Sequence, residues 1–225
     1  MKHESFNESA EMYLKTITEL SQSDEPVAIA AVAERLGVSN VSATEMVHRL
    51  QEAGLISHQP YKGISLTATG RDQAAVVVRS HRLWECFLAD HLGLRWEMVH
   101  EHACRLEHAT VPEIADALDR FLNYPATCPH GNPIPGATPE IDHHSEIRLS
   151  DLDNGQTAVI TRVFPESETL LAYLADQGLR SGVAVTLKEV APFNGPYILI
   201  SAGGLHYLSQ LAVAHIYVQM VEKTR

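Results

Sequence analysis

Apolar positions fall at helical spacing from the start of the chain. Met12, Leu14, Ile17 and Leu20 predict a helix over 5–21, with acids crowding its first turns. "VAIAAVAERL" at 27–36 predicts a second helix ending at Gly37, a residue suited to a helix C-cap. "NVSATEMVHRLQEA" at 40–53 predicts a third, closed by Gly54, with Val38, Val41, Met46, Val47 and Leu50 as its buried side. The period then shortens: "LISHQPYKGISLT" reads as two short strands around a Pro-Tyr-Lys-Gly tip. Helical spacing returns over 67–95, capped by Thr67 or Thr69 and weakened at its start by Gly70, and continues over 96–109 and 111–122. From about 150 the texture is that of short strands, "TAVITRVF", "AVTLKEV", "YILISAG" and "HIYVQMV", interrupted by one helix, "SETLLAYLADQGL".

Helix, tight turn, helix and hairpin in that order make a winged helix-turn-helix. Four or five short strands with one helix make a small SH3-like barrel. Between them lies a helical block and then "PATCPHGNPIPGATP" at 125–139, whose five prolines form a rigid, irregular connection, with "EIDHHSEIRL" following on the surface. The expected class is therefore α+β, with a winged-helix domain at 1–72, a helical domain at 73–140 and an SH3-like domain at 141–225. Leu83, Trp84, Phe87, Leu88, Leu118 and Phe121 supply either the helical domain's core or a dimer face.

Charge limits the DNA reading. The whole chain carries a formal net charge of −11, and residues 1–72 hold six basic against ten acidic side chains. Bulk attraction to phosphate is excluded, so any DNA contact needs a local face. Ser39, Asn40 and Ser42 at the start of helix 40–53, Arg49 on it and Lys62 in the hairpin tip supply that face. Glu45 on the same helix either repels phosphate or accepts from a cytosine amino group. Three scattered cysteines without a CxxC pair give no disulfide framework, the N-terminus has no apolar signal segment, and no run is long enough to span a membrane. A soluble cytoplasmic protein is expected.

"VHEHACRLEH" at 99–108 places His100, Cys104, Glu107 and His108 on one helical face, and His81 and Glu85 stand one turn apart on the preceding helix. Imidazole, carboxylate and sulfur together suit a divalent first-row metal. On spacing alone three readings stay open: a metal-gated regulator, a metalloenzyme, and a metal-independent regulator whose histidine-rich face is a subunit contact. His102 points off the metal face, and His143 and His144 are expected in a loop.

"EMYLKTI", "HRLWECFL", "VHEHACRLEH" and "CPHGNPIPG" follow in order around a winged helix. Together they resemble the iron-dependent repressors of bacteria, the diphtheria toxin repressor family, over nearly the whole chain. The resemblance implies a non-enzymatic repressor that binds palindromic double-stranded operator DNA as a homodimer when metal is bound, with a helical dimerisation and metal-binding domain and a C-terminal SH3-like (FeoA-like) domain. It implies two metal sites per subunit: an activating one on Met12, Cys104, Glu107 and His108, and an ancillary one on His81, Glu85 and His100. The cysteine serves through its sulfur or its backbone carbonyl. Retention of Met12 and Cys104, both soft, favours Fe²⁺ over the alternative, Mn²⁺. Two departures stand out. The ancillary ligands expected from the SH3-like domain align with Ser167 and Leu170, which leaves Glu166 or Glu168 as substitutes one residue away. The anion site of the family maps to Arg82, Cys128 and Asn132, with cysteine where a serine is usual.

Overall fold

The computed structural model describes residues 8–21, 25–59, 61–137, 145–193 and 195–221. The chain divides into two compact units, one of residues 1–80 and 107–112 and the other of residues 81–106 and 113–225.

In the first unit α1 (Glu8–Leu20), α2 (Ile29–Leu36) and α3 (Asn40–Glu52) precede a hairpin of β1 (Ile56–Gln59) and β2 (Gly63–Leu66). The start of the first expected helix, residues 5–7, lies outside the described residues. Leu14, Ile17, Val32, Val47, Leu50 and Ile64 form the core that holds these elements together. Ser39 caps α3, its hydroxyl accepting from the Ser42 backbone N–H. The expected buried side of α3 needs correction: Val38 and Val41 are 40% and 69% exposed. The buried stripe runs through Ala43, Val47 and Leu50 at i, i+4 and i+7, and Val41 stands on the other side of the helix.

The long α4 (Ala68–Asp90) begins in this unit and ends in the other. Thr67 caps it, accepting from Gly70 N–H at 3.1 Å. Gly70 is not a flaw in that helix: a Cβ there would meet the Leu55 carbonyl oxygen at 2.0 Å. The absence of a side chain lets the helix start press against the hairpin's entry. The helix also stops sooner than the expected 95. The N–H groups of His91 and Leu92 bond back to Phe87, that of Leu94 to Leu88, and Gly93 takes a left-handed φ of 66°.

In the second unit α5 (Val99–Leu106) and α6 (Pro112–Phe121) complete the helical block. Leu83, Ala115, Leu118, Cys128 and Ile134 pack one of its cores. Leu83, Leu88 and Leu118 are buried, whereas Phe121 is 60% exposed beside the rings of Phe87 and His91. The remainder is a sheet of six antiparallel strands in the order β3-β8-β4-β5-β6-β7, two more than the lower expected number. They are β3 (Glu146–Arg148), β4 (Thr157–Val163), β5 (Ala184–Val190), β6 (Tyr197–Ser201), β7 (Gly204–Leu208) and β8 (Ile216–Met220), with α7 (Glu168–Asp176) and the short α8 (Gln210–Val213) between them. Leu149, Ile160, Leu171, Leu187 and Val218 fill its core together with Trp96.

Candidate metal centre

His81 and Glu85 stand one turn apart on α4, and His100 and Cys104 one turn apart on α5. The structure brings these residues together. His81 Nε2 lies 3.0 Å from Glu85 Oε1 and 3.1 Å from His100 Nδ1. A fourth ligand arrives from the SH3-like domain: Glu166 Oε2 is 2.9 Å from His100 Nδ1. Of the candidates one residue apart, Glu166 points into the cluster, Ser167 caps α7 by accepting from the Leu170 N–H, and Glu168 is exposed.

Two further donors come from the Pro-rich connection. Gly131, at φ 87°, sits so close to β4 that a Cβ would meet the Thr161 carbonyl at 1.9 Å. Val163 N–H donates to the His130 carbonyl and Asn132 Nδ2 to the Val163 carbonyl, so the loop is laid on the strand that ends just before Glu166. His130 Nδ1 is thereby 3.2 Å from Glu85 Oε1, and the Cys128 thiol 3.7 Å from Glu166 Oε1. His130 Nε2–H donates to the Trp96 carbonyl at 2.8 Å, while the indole N–H of Trp96 donates to the Pro129 carbonyl. Such a bond fixes the ring's tautomer and aims Nδ1 at the carboxylates. The result is two overlapping sets, His81/Glu85/His100/Glu166 and Glu85/Cys128/His130/Glu166, each with donor atoms within 4.8 Å of one another. Sequence reading missed His130 and gave Cys128 a different role. The "CPH" triplet beside a sharp Gly turn was the available sign.

The electrostatics match a cation site. Burial would raise the Glu85 pKa, but His81, His130 and His100 outweigh it and hold the carboxyl well below its ordinary range. Glu166 is lowered as well: burial and the Glu85 charge push it up, and hydrogen bonds from His100 and His81 push it down further. Burial disfavours charge on His100, yet contacts with Cys104, Glu166 and Glu85 carry its pKa up to about 11. Two buried carboxylates thus face three imidazoles, a donor set in which a bound divalent ion would supply the compensating charge. Glu85 Oε2 is buried with no hydrogen-bond partner among the described residues, a cost that a metal bond removes. The Cys128 thiol is raised by burial and by the charges of Glu85 and Glu166, so it is a thiol until a metal displaces its proton.

The anion site expected on Arg82, Cys128 and Asn132 is filled from within. Asn132 Nδ2 donates to Glu166 Oε1 and Arg82 to the Pro133 carbonyl. The Glu166 carboxylate stands where the amide would meet an external anion.

The expected activating set divides between the units. In the first unit Glu107 and His108 meet α1: Lys15 Nζ is 2.7 Å from Glu107 Oε2, and Glu11 Oε2 is 2.6 Å from His108 Nδ1. Met12, half-buried, follows Glu11 on that helix. Cys104 belongs to the second unit, where its sulfur lies 3.9 Å from His81 Nδ1 and 3.8 Å from His100 Nε2. Of the expected DNA contacts, Ser39, Asn40, Ser42, Arg49 and Lys62 are all exposed, as is Glu45. His102 is half-buried and in none of the metal-competent sets among the described residues, and His143 and His144 lie outside those residues.

A winged helix in one chain with a buried, metal-competent cluster defines a metal-responsive DNA-binding protein. Residues 5–64 match the iron dependent repressor N-terminal DNA binding domain, residues 67–136 the iron dependent repressor metal binding and dimerisation domain, and residues 147–220 the FeoA domain. The iron-dependent repressor IdeR of Mycobacterium tuberculosis is 36% identical over 86% of this chain and 89% of its own length. Among solved structures, a manganese-dependent transcriptional repressor in complex with manganese is similar at a TM-score of 0.86 and 33% identity, covering 94% of this chain and all of that one. The manganese regulator SloR is similar at a TM-score of 0.80 and 32% identity, covering 94% of this chain and 98% of that one. The chain belongs to the iron-dependent repressor family. It is a metal-dependent transcriptional repressor, not an enzyme, and its dimerisation and DNA-binding domains make it a homodimer that binds DNA.

Proposed function

We propose that this repressor is activated by Fe²⁺ and then occupies palindromic operators as a dimer, controlling metal-ion homeostasis. The observation that carries metal control is the buried cluster of Glu85, Glu166, His81, His100, Cys128 and His130, which gathers two carboxylates, three imidazoles and a thiol within reach of one another. We assign the ancillary metal to this cluster, and the activating metal to Met12, Glu107 and His108, with Glu11 as a further donor. Support for iron is the thioether of Met12, on the helix that Glu107 and His108 meet, and the iron-dependent relatives. Mn²⁺ is the second reading. It is favoured by Glu11, a hard oxygen donor on His108, and by the manganese regulators among the structural relatives.

The DNA face proposed is the start of α3, with Ser39, Asn40 and Ser42 toward phosphate, Arg49 and the wing residue Lys62 beside it, and exposed Val41 offering a methyl surface to thymine. The dimer face proposed runs through exposed Phe121 and Ile114 on α6. The test is an anaerobic titration of metal-free protein with Fe²⁺ and with Mn²⁺ against a pool of random duplexes. Retention of one palindrome at lower Fe²⁺ than Mn²⁺ supports the iron reading. The reverse order moves the protein to manganese, and retention without metal overturns both.

A further inference from the structure

The exposed side chains of α3 are sorted by their angle around the helix. At 3.6 residues per turn, the buried Ala43, Val47 and Leu50 fall within about 60° of one another. The direction opposite that stripe runs between Val41 and Glu45, each within about 30° of it, and both are exposed. Ser42 and Arg49 stand to one side of this line and His48 to the other, by about 45–75°. We infer that Glu45 sets the sequence preference of the DNA face proposed above, on which this reading rests: its carboxylate accepts from the N4 amino group of a cytosine in the major groove.

A helix lying in the major groove turns its flanks to the phosphate backbones and its centre to base edges. Ser42 and Arg49, on one flank, are a hydroxyl and a cation, both suited to phosphate. On the other flank His48 stands against His58 of β1, with ring centroids 6.4 Å apart, so α3 borders the hairpin there. Glu52 also lies on the central line, but it is the last residue of α3, and such a helix meets bases with its N-terminal residues. Val41 and Glu45 are therefore the central pair. A carboxylate on a flank would be repelled by phosphate. In the centre it meets base edges, where its effect depends on whether a donor stands opposite.

Two bases offer a donor on the major-groove edge. Cytosine presents its N4 amino group, and adenine presents its N6 amino group beside the acceptor N7. The second carboxylate oxygen meets the N7 lone pair at adenine, whereas cytosine has no acceptor on that edge. Guanine and thymine offer acceptors there and no donor, so Glu45 also rejects them, leaving a desolvated charge unpaired. Four residues apart, Val41 and Glu45 are separated by about 6 Å along the helix, against about 3.4 Å per base pair. The expected half-site holds a thymine for Val41 and a cytosine one or two base pairs from it.

The test is selection from a random duplex pool by the full chain, with Fe²⁺ and with Mn²⁺, followed by sequencing of the retained DNA. Wild type should enrich one C·G pair in each half-site. Glu45→Gln should move that preference to A·T, because an amide pairs with adenine N6 and N7, and Glu45→Ala should lose it. On the selected duplex, changing that C·G pair to T·A should weaken wild type about 5- to 150-fold per half-site, and Glu45→Ala by less than about twofold. Arg49→Ala should weaken all sequences alike and lower the salt dependence, as loss of a phosphate contact does. All variants should keep the parent far-ultraviolet circular dichroism. The same preferences in wild type and Glu45→Ala overturn the assignment. So does Glu45→Ala binding every sequence more tightly, which would make the carboxylate only a repeller of phosphate. If wild type retains no duplex with either metal, the operator reading falls and this assignment with it; retention with letters indifferent to Glu45 removes the assignment alone.

Discussion

Glu107 and Glu85 are both fully buried carboxylates facing histidine, yet they are neutralised in different ways. Glu107 is held by an ammonium on a neighbouring helix, Lys15, at 2.7 Å. Glu85 is held by the rings of His81, His100 and His130. A metal would take the place of ring protons at the histidines; at Glu107 it would have to displace the Lys15 ammonium from its 2.7 Å contact. On the proposed assignment the six-residue cluster would take its metal without rearrangement, whereas a metal at Glu107 would have to break a buried ion pair and move a side chain. Binding that must rearrange the protein is binding that can drive a conformational equilibrium.

The largest effect is expected of Lys15→Met. It strands Glu107 in the interior, and the metal-free protein should lose about 3 kcal/mol of unfolding free energy, with part regained in saturating Mn²⁺. Urea melts with and without metal measure both, and an unchanged metal-free midpoint would show that Lys15 is not the counter-ion that matters. Next in size is Glu166→Gln, which keeps the shape but removes one charge from the preassembled cluster. Metal affinity there should fall roughly 10–100-fold by calorimetry, or about 1.4–2.7 kcal/mol, with circular dichroism unchanged. Smallest is Ser39→Ala, which removes the α3 cap and should cost about 1 kcal/mol of stability while weakening operator binding. If stability falls but operator affinity does not, that helix start is not a phosphate contact.

Much of this is legible in the sequence. The helices, the winged hairpin and the helical pairs His81/Glu85 and His100/Cys104 follow from spacing, because an α-helix fixes which residues share a face. The missing parts are those that no local period encodes. His130 and Cys128 reach the cluster because Gly131 allows a loop to lie on β4, a contact between positions 30 residues apart. Glu166 was one of two candidates, and only the cap at Ser167 decides between them. Strand β7 escaped because just His206 and Leu208 on it are buried, too short an alternation to register. Val41 was placed in the core because it is apolar. Its outward position makes sense once α3 is seen to use Ala43, Val47 and Leu50 for packing.

Trp96, whose backbone carbonyl receives His130, also stacks its indole 5.0 Å from that imidazole at a tilt of 60°, with Arg180 on the ring. Indole emission is sensitive to an adjacent imidazole, so a metal bound to the His130 ring would change the emission of Trp96. The other indole, Trp84, packs edge-on against Phe87. Occupancy of the buried cluster should therefore register in the natural fluorescence of Trp96, without a dye, a label or DNA.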